Sequence, residues 1–153
     1  MDPVQTAWLF IAQWEGFRPT PYLDTAKRIS IGFGRTGPDV TFATAPTTKE
    51  AEETWTKARL AWLWQRIDRD VGRDLNVNQA AALISFAYNC GLAALERSTL
   101  WGYVQAGQWL PAASQFVLWD HVTKDGVKTT DPGLYKRRLA EKALFLSDPP
   151  AVS

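Results

Sequence analysis

The chain has little of what many enzymes run on. Its 153 residues include one cysteine, Cys90, and one histidine, His121. A single thiol excludes an internal disulfide and a multi-cysteine zinc site, and it fits a reducing compartment. A single histidine gives a histidine-based dyad or a multi-histidine metal site almost nothing to draw on. No metal and no cofactor is therefore expected. Charge of one sign is missing too: Lys+Arg is 17 and Asp+Glu is 16, for a net charge of +1. That balance gives no electrostatic footprint for nucleic acid. No apolar run approaches the roughly 18 residues of a membrane span. Met1-Asp2-Pro3 also lacks the basic start of a signal peptide. Stable membrane insertion is not expected. Any acid–base chemistry falls to carboxylates.

What is present is ordinary for a globular protein, with 46% hydrophobic and 22% charged residues. The length suggests one domain over residues 1–153. The surplus is in tryptophan, at 8 residues, a side chain used in cores or on faces that stack ligands. Val4, Ala7, Trp8, Ile11 and Glu15 share a helical stripe, predicting a helix over 3–15, with Asp2 as cap and Pro3 at its first position. Residues 17–44 are rich in proline and glycine. Ile29, Ile31 and Phe33 alternate with Ser30, Gly32 and Gly34, the period of a strand. Tyr22-Leu23-Asp24 is its expected partner and Thr25–Arg28 the turn, giving a small β lobe.

The region 47–147 reads as a helical lobe. Thr47-Thr48-Lys49-Glu50 fits a capping box, and Leu60, Trp64, Ile67 and Val71 form the stripe of a long helix ending near Gly72. Further helices are expected over Gln79–Cys90 with Asn78 as cap, from Thr99 to Ala106, over Leu110–Trp119 and over Leu134–Leu146, with Asp125–Gly133 a loop. The fold class is α+β, mainly α: a small β lobe and a helical bundle joined by a long helix.

Glu15 falls on the apolar face at a helix end, where burial and the helix dipole both disfavour negative charge and are expected to raise its pKa. Asp24 lies nine residues on, in a polar, turn-rich segment. Two carboxylates in unlike environments suit glycoside hydrolysis, which needs one protonated acid and one ionised group. Spacing alone does not single out this pair, because the chain has 16 acids.

A wider pattern does. Glu15-Gly16-Phe17-Arg18, Tyr22-Leu23-Asp24 and Ser30-Ile31-Gly32-Phe33-Gly34 occur in order. They are followed by Leu83–Gly91, Arg97-Ser98-Thr99-Leu100, Phe116 with Trp119, and Gly133-Leu134 with Arg137, Arg138 and Glu141. This order resembles the phage-type lysozymes, or endolysins, of glycoside hydrolase family 24, from Glu15 to about Leu146. The resemblance implies a lysozyme-like fold and an inverting muramidase that cleaves the β-1,4 bond between N-acetylmuramic acid and N-acetylglucosamine. It implies Glu15 as general acid, with Asp24 and the Ser30 hydroxyl holding the attacking water. A bell-shaped pH profile follows from two such carboxylates. It also implies an endolysin held in the host cytoplasm until holin lesions release it to the periplasm, acting on peptidoglycan glycan strands as a monomer.

The chain departs from the family pattern at three positions. Ser30 stands for threonine, Arg35 for the histidine after Gly-x-Gly, and Lys27 for the turn glycine. Arg35 can pair with a carboxylate as a permanent cation; at Lys27 a different turn is expected. Phe33, Gly34, Arg35, Asn89, Trp119 and Arg137 are candidate substrate-binding residues. Phe33 and Trp119 have core packing as the alternative, Asn89 a structural hydrogen bond. Arg137 and Arg138 are set either to reach stem-peptide carboxylates or to form a solvated helix face, the expectation for Arg138. His121 is expected at the surface and Cys90 buried and inert. Two other functions stay open: a lytic transglycosylase, which needs no water-activating Asp24, and a non-catalytic wall-binding module.

Overall fold

A computed structural model describes residues 1–149. Helix α1 (Pro3–Ile11) leads into a hairpin, β1 (Arg18–Leu23) and β2 (Ile29–Gly32). The long α2 (Lys49–Val71) follows, then α3 (Val77–Cys90), α4 (Leu92–Glu96), α5 (Thr99–Gln105) and α6 (Trp109–Gln115), with a single 3₁₀ turn at Phe116–Leu118. A second hairpin, β3 (His121–Lys124) and β4 (Val127–Thr130), precedes α7 (Pro132–Leu146). Both sheets are two-stranded and antiparallel. Among the described residues, no helix is long and apolar enough to cross a membrane.

The bundle is organised around α3. Every residue from Asn78 to Ala87 is buried, as expected of a helix apolar around most of its circumference. Helices α1, α2 and α7 pack on its faces. Phe86 sits edge-on to both Phe116 and Trp119, at 5.9 and 5.2 Å between centroids. Trp101 is buried, and Trp109 packs on Phe145. Part of the tryptophan surplus thus goes into the bundle, Trp101 in its core and Trp109 against it.

Local chemistry sets the helix ends, and it corrects several expected boundaries. Asp2 caps α1 by accepting from the Gln5 N–H, but α1 stops at Ile11 rather than residue 15. Residues 12–15 continue as a turn, with the Glu15 N–H donated to the Ile11 carbonyl at 3.0 Å. Thr48 caps α2 through the Ala51 N–H, one residue later than the Thr47–Glu50 box requires. Asn76, not Asn78, caps α3, in a reciprocal capping box with Gln79. Asn78 instead points inward and donates to Ser147. Helix α4 was not expected, and its five residues explain why: so short a helix shows no periodicity.

The expected loop over Asp125–Gly133 holds instead the turn and second strand of a hairpin that begins at His121. His121 pairs with Thr130 and Lys124 with Val127, around a turn at Asp125-Gly126. Asp-Gly is a strong hairpin signal, but these strands carry no alternation of apolar and polar residues because they are almost wholly exposed.

Candidate active site

The first hairpin builds one side of the site. Tyr22 pairs with Ser30 and Leu23 with Ile29, so Asp24 opens the turn beside Ser30. The Asp24 Oδ1 accepts from the Ala26 and Arg28 N–H groups at 2.9 and 2.8 Å. Its Oδ2 accepts from the buried Ser30 hydroxyl at 3.2 Å and from Arg28 Nε at 3.2 Å. Burial pushes this carboxyl upward, but those N–H donors, the Arg28 guanidinium and the hydroxyl outweigh it and hold it below the ordinary aspartate range. Asp24 is therefore ionised and fixed in direction. Lys27 keeps the left-handed backbone, with φ of 62°, so the expected change of turn does not occur. The lysine accepts a strain of about 1 kcal/mol there.

The helical lobe builds the other side. Glu15 lies beyond the end of α1, and its carboxylate meets Arg137 of α7, with Nη1 to Oε1 at 2.7 Å. Both premises for an unsupported acid at a helix end therefore fail. Arg137 is 5% exposed and also lies 3.6 Å from the fully buried Glu141. It is an internal partner of Glu15, not a receptor for stem-peptide carboxylates. Arg138 corrects its expectation more sharply: it is completely buried, not solvated. Its Nε lies 2.6 Å from Glu141 Oε1, and it donates to the Asn89 side chain at 2.8 Å. Ser85 donates to Glu141 at 2.6 Å. Asn89 thus has its structural hydrogen bond and still borders the groove.

Glu15, Tyr22, Asp24, Arg28, Ser30, Gly34, Tyr88 and Asn89 line one cavity of about 160 Å³. Gly34 is needed there because its φ is +87° and a Cβ would stand 3.3 Å from Glu15 Oε2. The Tyr88 hydroxyl donates to the Phe33 carbonyl at 2.7 Å, tying α3 to this turn. Two larger cavities run into the first. One of about 420 Å³ is bordered by Arg28, Arg35, Trp55, Arg59 and Asn89. The other, of about 430 Å³, is bordered by Arg28, Cys90, Trp119, His121 and Lys128. All three share Arg28 and Asn89, and the smallest, lined by Glu15, Asp24 and Ser30, shares residues with both of the others, giving one groove.

Two other candidates change role. Phe33 is 3% exposed and packs on Trp8 and Phe17; its ring belongs to the core. Arg35 borders the groove, but its guanidinium is held by Glu52 of α2 at 2.9 and 3.0 Å and reaches Asp39 at 3.4 Å. Burial pushes Glu52 upward, and the Arg35 and Thr47 side chains outweigh it, leaving it below the ordinary glutamate range. Glu52 dictates a glycine: a Cβ at Gly32, where φ is +67°, would stand 2.5 Å from Glu52 Oε2. Trp119 does border the groove while packing on Phe86. Cys90 is half-buried, and desolvation raises its thiol pKa, as expected of an inert cysteine. His121 is exposed and paired with Asp120 at 2.8 Å. Sequence reasoning missed Arg28 and Glu52 as parts of this region. The signal for Arg28 was its place four residues after Asp24 in a tight turn; Glu52 gave none. Among the described residues no cluster of His, Cys, Asp and Glu could hold a metal ion.

The chain is 37% identical over 149 residues to an endolysin of Bacillus phage B103, covering 96% of this chain and 55% of that protein. It thus spans about half the length of that relative. The structure superposes on an endolysin from Escherichia coli O157:H7 phage FAHEc1 with a TM-score of 0.84 and 27% identity, covering 95% of this chain and 94% of the other. The muramidase domain of SpmX from Asticcacaulis excentricus gives a TM-score of 0.83 at 27% identity, covering 94% and 97%. These likenesses extend the match beyond short motifs to the whole arrangement of hairpin, long helix and bundle. The phage lysozyme family model matches residues 12–141, from the turn that carries Glu15 to the buried Glu141, and the chain belongs to that family.

Proposed function

We propose that this protein is an inverting muramidase, cleaving the β-1,4 bond between N-acetylmuramic acid and N-acetylglucosamine in peptidoglycan. The observation that carries this reading is the shared cavity of Glu15, Asp24 and Ser30, with Asp24 held ionised by its turn. Glu15 delivers a proton to the leaving glycosidic oxygen. Once that proton has gone, Arg137 at 2.7 Å stabilises the carboxylate left behind. Asp24 and the Ser30 hydroxyl hold a water on the opposite face of the sugar, and the Asp24 carboxylate takes up its proton. That division of labour needs carboxyl groups about 6.5–9.5 Å apart, to leave room for the water. Asn89, Gly34 and Trp119 border the path of the glycan.

Endolysin and muramidase relatives support the substrate class. The biological setting that suits it is a monomer accumulating in the host cytoplasm and reaching the periplasm through holin lesions. Digestion of purified sacculi followed by mass spectrometry tests the reaction. Free reducing ends are expected. Products ending in 1,6-anhydro sugars would assign a lytic transglycosylase, and binding without release of sugar a non-catalytic module.

A further inference from the structure

The charge of +1 is spread unevenly. The central cavity holds the two acids of the groove, Glu15 and Asp24. The two flanking cavities are lined by no carboxylate, yet each is lined by cations. Arg35 is neutralised by Glu52 and does not count. Two cations, Arg59 and Lys128, have no acidic partner among the described residues, and Arg28 is only partly engaged. The Arg28 side chain is 62% exposed and borders all three cavities. It spends only Nε on Asp24, at 3.2 Å, and its terminal nitrogens have no side-chain partner among the described residues. Arg59 borders one flank and lies over the Trp62 ring, with 4.4 Å from its Cζ to the ring centroid. That contact fixes its stem without consuming its donors. Lys128 borders the other flank from β4. Neither Arg59 nor Lys128 has an acidic partner among the described residues.

Resting on the muramidase reading, we propose that this groove selects glycan strands by the free carboxylates they carry, with Arg28 at the centre and Arg59 and Lys128 on the two flanks as the receptors. A neutral glycan leaves Arg59 and Lys128 beside acid-free walls without a counter-charge, and the terminal nitrogens of Arg28 without a partner. A muramyl glycan supplies carboxylates at its 3-O substituents, either the lactyl group of naked strands or the side-chain acids of stem peptides. Guanidinium groups bind both through paired N–H donors. Arg28 then links recognition to chemistry, because the same side chain that meets the substrate anion orients Asp24.

The test compares kcat/KM on soluble muramyl glycans with free carboxylates against the same strands amidated with carbodiimide and methylamine. It uses peptide-bearing and amidase-stripped strands as separate arms. Wild type should prefer the free acids by about tenfold, the worth of one charge-assisted hydrogen bond. In R28Q/R59Q, and in the single variant R59E that leaves Asp24 untouched, the preference should fall to about twofold or less. The quantity read is a ratio, so a change in absolute rate does not mask it. Discrimination confined to stripped strands assigns the lactyl carboxylate, and discrimination confined to peptide-bearing strands assigns the stem acids. Equal rates on acid and amide forms by wild type, or an unchanged ratio in both variants, would overturn the inference and leave the muramidase reading standing. No reducing ends from any substrate would instead remove the muramidase reading itself.

Discussion

The two hairpins border the same groove and are built on opposite principles. In the first, β2 is almost entirely buried and its turn is locked by four hydrogen bonds onto one aspartate. In the second, β3 and β4 are nearly all exposed, and the tip meets its surroundings through a loose pair, Lys27 to Asp125 at 3.8 Å. A catalytic group must be held in place by partners whose own positions are fixed, and only the first hairpin meets that condition. The second contributes a wall and a cation. The difference teaches that in this fold turn chemistry and burial mark the reacting side of the groove, while the other side needs only shape and charge.

The comparison can be broken by substitution. Replacing Glu15 or Asp24 should cost the most: Glu15→Gln and Asp24→Asn should each lower the release of reducing ends by about 10²–10⁴-fold, the range of general acid–base catalysis. Lys128→Ala on the second hairpin should reduce it only about tenfold or less. Equal losses at Asp24 and Lys128 would end the distinction.

Next in size are the buried charges that hold the first hairpin and the bundle in register. Glu52→Ala strands the guanidinium of Arg35, and Glu141→Ala strands the fully buried Arg138. Each should destabilise the protein by about 3–5 kcal/mol in denaturant unfolding. Removing the exposed Lys27–Asp125 pair should be nearly silent.

The pH dependence follows from the depressed carboxyls of the same region. Asp24 and Glu52 both titrate below their ordinary range in the folded protein. Their stabilisation is therefore complete above the unfolded-state values near pH 4 and is lost as pH falls through the folded ones. Thermal melts should show that loss only on the acid side. Arg28→Ala should move the acid limb of the activity profile upward, because one of the influences holding Asp24 ionised is gone. An unmoved limb would exclude Arg28 from that role.

A small effect of the opposite sign is expected for Lys27→Gly, a gain of about 1 kcal/mol from relieving a left-handed backbone. A loss of stability would show that the lysine side chain does more at this turn than tolerate it.

The legible and illegible parts of the molecule divide along the same physical line. Glu15, Asp24, Ser30 and Gly34 could be read because they fall in three short motifs that occur in order within twenty residues and resemble a known family pattern. Asn89 and Trp119 could be read as groove residues because each also serves the core. What stayed hidden depends on contacts distant in sequence. Arg137 finds Glu15 across 122 residues, and Glu52 finds Arg35 across 17. Arg138 reads as a surface residue because arginine usually is one; only the meeting of α3 and α7 surrounds it with Glu141, Asn89 and Cys90. Phe33 misled for the opposite reason. It lies just past the end of β2, where its ring turns onto Trp8 of α1 and Phe17, a contact the local sequence does not reveal.

The most direct test of the two-carboxylate scheme is the configuration of the newly released reducing end, followed by proton NMR in the first moments of digestion before mutarotation. A water held by Asp24 and Ser30 opposite Glu15 predicts the α-anomer first, by inversion of the β-linkage. First appearance of the β-anomer would mean a covalent intermediate or a different nucleophile, and would contradict the roles given to Glu15, Asp24 and Ser30.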